Sequence, residues 1–244
     1  MRILITFLLT FILSQSNSYS KSEDKLDFNP RYLSNYLSGL ISYQNKDFKK
    51  SLGFFNSSKS LVNKHENFLK EYIFVLVSNN KFSEAINKVK LAKQAKFNDF
   101  FESKLLIILD SIKRKNFYEA SNQIAKLEKF KNDGTYQFII YNSLKDFNEL
   151  FINKKFINNK NYGKISEINQ AFQNCYLNDH KTDLYFKKLI NSSDGNYSRY
   201  KFFYLHYLIK NNNLNAAKSV ADTINILNES LLLLQAKEWI NSNK

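Results

Sequence analysis

Apolar residues recur along this chain at offsets of three and four, and short polar breaks separate the periodic runs. Four stretches repeat one pattern. Phe48 is followed by Ser51, Phe55 and Ser58; Phe82 by Ala85, Val89 and Ala92; Phe117 by Ala120, Ile124 and Leu127; Leu214 by Ala217, Ala221 and Ile224. Steps of three and four hold each set on one face of a helix. Each set follows a polar turn such as Asn45-Lys46-Asp47. The small residue three places after Phe48, Phe82, Phe117 or Leu214 lets two antiparallel helices approach closely. The aromatic residue is expected to plug the corner. Asn116 and Glu119 have the spacing of a helix N-cap and its reciprocal partner. Phe48 and Phe82 lie 34 residues apart, Phe82 and Phe117 35 apart, and Leu214 follows 97 residues after Phe117, close to three further periods.

A fixed period of this size is the mark of stacked helix hairpins. With Gly39, Ile73, Ile108 and Leu205 ahead of the four stretches, the pattern resembles the tetratricopeptide repeat, although the early Trp and the closing Pro of that family are absent. The resemblance implies an all-α fold, a right-handed superhelical array of antiparallel helix hairpins. Residues 32–130 would form three hairpins. Residues 199–244 would form another hairpin plus a terminal helix over Ser230–Asn241, and residues 21–31 an extension. Residues 131–198 have room for degenerate hairpins or an insertion. Within them Tyr136–Phe151, Ile165–Tyr176 and Asp183–Ile190 read as helices, and Asn153–Lys164 and Asn191–Ser198 as a loop and a turn.

The same resemblance implies a binding groove lined by first helices. Carried over by position, it gives Leu33, Tyr36, Leu40 and Tyr43; Asn67, Lys70, Phe74 and Val77; Glu102, Leu105, Leu109 and Ile112; and Arg199, Phe202, His206 and Ile209. Tyr36, Leu40, Tyr43, Lys70, Phe74, Val77, Leu109, Phe202 and His206 are the candidate partner-binding residues. Leu37 and Leu40 stand where a clamp for chaperone C-termini needs Asn, which argues against that subtype.

Composition narrows the picture. Five Gly and one Pro are too few for a strand-rich fold or a phosphate loop. The formal charge is +14. The lysines are spread between apolar helical positions rather than gathered with aromatics in a stripe, so nucleic acid is not an expected partner. The N-terminus reads as an address: Arg2, the apolar run Ile3–Leu13, then Ser18-Tyr19-Ser20 as a cleavage site, which makes residues 1–20 a signal peptide. The run is too short for a transmembrane anchor, and the mature chain is expected in the periplasm or secreted.

Chemistry is sparse. The single Cys, Cys175, permits no internal disulfide and is expected to be buried with Ala171, Phe172 and Tyr176. His65, His180 and His206 show no metal-ligand spacing. Neither Cys175 with His180 nor His180 with Asp183 makes a recognisable catalytic set. No catalytic residue, metal or cofactor is expected. The functional expectation is an exported scaffold that binds a protein or peptide of the cell envelope. The alternatives are electrostatic contact with anionic envelope polymer, or an accessory repeat region of a longer envelope protein or enzyme.

Overall fold

The structure, a computed structural model, describes residues 29–65, 67–92, 95–132, 134–157, 163–192, 199–225 and 230–242. The signal-peptide expectation for residues 1–20 lies outside them, as does most of the Asn191–Ser198 turn. Every regular element among the described residues is helical. The chain divides into two compact units, residues 1–79 and 80–244.

The first unit holds α1 (Pro30–Gln44), α2 (Phe48–Ser57) and α3 (Phe68–Ser78). The chain's single Pro opens α1, where its missing N–H costs nothing, and Asn29 caps Arg31 N at 3.0 Å. α1 and α2 form a tight hairpin. Ser51 and Ser58 are fully buried. Their hydroxyls donate to the carbonyls of Gly39 at 2.8 Å and Tyr32 at 2.9 Å on the facing helix. A side chain at position 39 would collide with Phe55: a Cβ there falls 2.7 Å from its ring. The core is aromatic. Phe55 meets Tyr36 edge-on at 5.6 Å, Phe68 at 5.3 Å and Tyr72 in a stack at 5.8 Å.

The second unit holds α4 (Phe82–Leu91), a single turn α5 (Ala95–Asn98), α6 (Phe101–Lys113), α7 (Phe117–Leu127), α8 (Tyr136–Asn153), α9 (Lys164–Leu177), α10 (Thr182–Ile190), α11 (Arg199–Lys210), α12 (Leu214–Asp222) and α13 (Leu231–Ser242). Each of α6 to α13 packs against its neighbour in sequence, and α4 packs on α6. One core contains Phe101, Ile108, Ile124, Leu127 and Tyr141. Another gathers Ala171, Phe186, Leu189, Tyr204, Leu205, Leu208, Ala217, Ala221 and Leu233, among others.

One turn recurs. Lys46, Asn80, Lys115, Asn178 and Asn212 all have positive φ, between 53° and 60°. At four of them the next residue's N–H closes the turn on the carbonyl five residues back: Asp47 to Ser42, Asn116 to Ser111, Asp179 to Asn174 and Asn213 to Leu208, at 2.9–3.0 Å. This is a left-handed helix cap of the Schellman kind. Asp47, Asn116 and Asn213 then cap the following helix through their side chains. Asn116 caps Glu119 N as expected. The Glu119 carboxylate accepts from Gln123 at 2.7 Å instead of returning to the cap.

Asn178 lies 34 residues before Asn212, so α9 and α10 form a repeat hairpin whose turn sequence carries no aromatic signal. Its equivalents of Ser51 and Phe55 are Thr182 and Phe186, both fully buried. Between α7 and this hairpin stands α8 alone. At 18 residues it outruns the other first helices and ends on Lys154, also left-handed at φ 55°. The small residues expected at helix contacts are buried: Ala85, Ala120, Ala217 and Ala221 have no exposure. The corner residues differ from expectation. Phe48 and Phe117 are half-buried, and Phe82 and Leu214 remain 50% and 42% exposed. At Phe48, Phe117 and Leu214 the left-handed cap closes the corner with backbone hydrogen bonds, so the turn there does not depend on burying the corner side chain.

Candidate functional site

The first-helix positions are best taken unit by unit. In the first unit Leu40 and Tyr43 on α1, and Lys70, Phe74 and Val77 on α3, are half-exposed. Offsets of four and three place the α3 trio on one face. The Tyr43 ring leans on Phe48 at 5.5 Å. Tyr36 departs from its expected role. It is 5% exposed and packs against Phe55, Phe68 and His65. It sits one turn from the close approach at Gly39, so its ring falls into the hairpin core.

In the second unit Leu109 is 48% exposed, while Leu105 and Ile112 on the same helix pack onto the core around Ile108. On α11, Phe202 and Ile209 pack against the core around Tyr204, and His206 is exposed. Leu109 and Phe202 therefore border different cores.

The groups considered for chemistry are separated by the fold. Cys175 is half-buried, and burial pushes its thiol upward despite the pull of Lys210. His180 is exposed, with Nδ1 3.3 Å from Asp179. Asp183 turns away from it to Lys187, at 2.7 Å, and to the hydroxyl of buried Tyr204. Burial alone would raise the Asp183 carboxyl, but the hydrogen bonds from Lys187 and Tyr204 outweigh it and hold it below the usual range. Tyr204 is pushed far above the ordinary phenol by burial and by that carboxylate. Among the described residues no three His, Cys, Asp or Glu side chains are grouped to hold a metal ion. No described helix is long and apolar enough to cross a membrane.

One cavity had no signal in the repeat pattern. It has a volume of about 290 Å³ and is lined by Ile112, Lys113, Lys115, Phe117, Phe151, Lys154 and Tyr176. The overrun of α8 creates its wall. Phe151 lies 5.3 Å from Phe117 and 4.9 Å from Tyr176, ring to ring. The Lys154 ammonium stands 4.8 Å from the centre of the Tyr176 ring, 6.0 Å from that of Phe117, and donates a hydrogen bond to the Tyr176 hydroxyl. A residue-by-residue reading could not find it, because its three aromatics come from three different helices.

No family model, curated protein or solved structure matches the chain. The class that its structure defines is an all-helical, repeat-like fold with helices packed in neighbouring pairs.

Proposed function

We propose that this protein is an exported scaffold of the tetratricopeptide type, which binds a protein or peptide of the cell envelope through exposed faces of its first helices. The observation that carries this reading is the row Lys70, Phe74 and Val77 on α3, together with Leu40 and Tyr43 on α1: four apolar or aromatic side chains and one lysine left partly exposed, while Tyr36, Phe55, Phe68 and Tyr72 of the same unit are buried. Such side chains anchor interfaces. Leu109 on α6 and Phe202 with His206 on α11 offer comparable positions in the second unit. The repeated left-handed turn and the recurring small contact residues support the repeat class, and the Arg2 to Ser20 pattern supports export.

The experiment is capture from an envelope extract with the full chain, tagged at its C-terminus, beside a Tyr43→Ala/Phe74→Ala variant of unchanged circular dichroism. Loss of a captured protein by the variant supports the reading. Equal capture by both removes this face from it. Capture that collapses between low and moderate salt in both chains favours contact with anionic envelope polymer, since exposed charges are screened beyond about 8–10 Å at physiological ionic strength.

A further inference from the structure

We propose that the cavity between the ends of α6, α8 and α9 binds a small organic anion carried on a flat apolar body, of the aryl phosphate or aryl carboxylate type. This goes beyond the scaffold reading and rests on neither export nor peptide binding.

The cavity has two chemically distinct parts. Its wall is apolar: Ile112, Phe117 and Phe151 are half-buried and contiguous, and Tyr176 closes one side with its ring edge to face against Phe151. A wall of rings takes a planar group in stacked or edge-on contact. Its rim is cationic. Lys113, Lys115 and Lys154 line it, all three exposed, and no carboxylate does. Of the acids near the lining in sequence, Asp110 is already neutralised by Lys90 at 2.8 Å and Arg114 at 2.9 Å, and Glu119 accepts from Gln123 at 2.7 Å. Three ammonium groups thus surround one opening without a compensating charge in its lining.

Helix ends alone explain part of this. Lysine is favoured near the carbonyl end of a helix by about 0.3–1 kcal/mol. Here, however, those carbonyls are already closed by the backbone: Lys115 N bonds Ile112 O at 2.9 Å, Asn116 N bonds Ser111 O at 2.9 Å and Lys154 N bonds Leu150 O at 2.8 Å. The Lys154 ammonium turns instead to the Tyr176 hydroxyl inside the cavity lining, Lys113 and Lys115 stand exposed at its rim, and helix ends give no reason for an aromatic-walled cavity beside them. Lysine serves such a ligand as a mobile point charge, with its aliphatic stem along the apolar wall. A volume of about 290 Å³ is at the small end of ligand pockets, roughly 300–1,000 Å³. It suits one ring and one charged group.

The test is titration calorimetry of the full chain with phenyl phosphate, inorganic phosphate and phenol in parallel at about 0.1 M salt, where Debye screening acts over about 10 Å. Phenyl phosphate should bind one to one with Kd in the range of about 10 μM to 1 mM, and each half alone about tenfold or more weaker. The Lys113→Gln/Lys115→Gln/Lys154→Gln variant should lose about tenfold in affinity with an unchanged melting curve. Phe151→Leu, which keeps an apolar wall, should weaken phenyl phosphate and leave inorganic phosphate as it was. A short phosphotyrosine peptide distinguishes the source: tighter binding than phenyl phosphate assigns the group to a protein chain, and equal or weaker binding assigns it to a free small molecule. The proposal is overturned if phenyl phosphate gives no saturable heat, if inorganic phosphate binds as tightly, or if the lysine variant retains full affinity.

Discussion

The side-chain amide of Asn148 donates to the carbonyl of Phe117 at 3.0 Å, across 31 residues, and Asn79 donates to Phe48 across the same 31 residues at 2.8 Å. In each case a first helix is tied to the opening of the second helix before it. The coincidence places α8 in the repeat as a first helix, although it never turns where the others do. Asn148 is 2% exposed and also donates to Ser121 at 2.7 Å, while its carbonyl oxygen has no partner. That vacant acceptor subtracts from its value. Asn148→Ala is expected to cost about 1–2 kcal/mol, and Asn79→Ala, only half-buried, less. Urea unfolding of both variants checks this, and equal costs would mean that burial does not set the strength of the tie.

Gly39 and Gly53 make a matched pair in the first unit. A Cβ at 39 meets the Phe55 ring at 2.7 Å, and that ring is locked between Tyr36, Phe68 and Tyr72. A Cβ at 53 meets nothing within 4 Å. Replacing helical Gly by Ala gains about 0.5–1 kcal/mol in conformational entropy, and overpacking costs about 1–3 kcal/mol. Gly39→Ala should therefore destabilise and Gly53→Ala should stabilise. Melting curves of the two variants moving in the same direction would contradict the close approach.

Lysine in the left-handed region is the strained choice. An L-residue pays about 1–2 kcal/mol there, which glycine avoids and asparagine partly offsets. Lys46→Gly and Lys115→Gly are expected to raise stability by about 0.5–1 kcal/mol, and Asn212→Gly by less. Chemical denaturation ranks the three.

Asp183 couples the last core to pH. Its carboxyl is held below the ordinary range in the folded chain, so the unfolded chain binds the proton first. The stability it contributes is complete above the unfolded value, near pH 4, and is lost as pH falls through the lower folded value. Tyr204→Phe removes one of the two hydrogen bonds that hold it. The variant should lose about 1–2 kcal/mol at neutral pH, and the gap from the native chain should narrow in acid, below the ordinary carboxylate range, as Asp183 protonates in both. A gap independent of pH would show that the Tyr204 hydroxyl matters only through packing.

Ala85 is fully buried in α4. Ala85→Leu is expected to cost about 1–3 kcal/mol by overpacking, read as a lower melting temperature.

The hairpins around Phe48 and Phe117 were legible because their information is local. Residues three and four apart on one helix share a face whatever surrounds them, so Ser51, Ala120 and Ala217 could be assigned to helix contacts from spacing alone. The α9–α10 hairpin was harder to read. Its turn is made by Asn178 backbone geometry and its contact residues are Thr182 and Phe186, displaced by one place from the pattern. Tyr36 shows a different boundary. Its helical position suits a binding face, but which way a ring turns near a glycine depends on the helix that packs against it, and Phe55 and Phe68 draw it inward. The cavity of Phe117, Phe151 and Tyr176 lies wholly on the tertiary side. Periodicity along one chain encodes the helices and the faces they bury; the meeting of three helix ends depends on where α8 stops, and that is decided by packing between segments far apart in sequence.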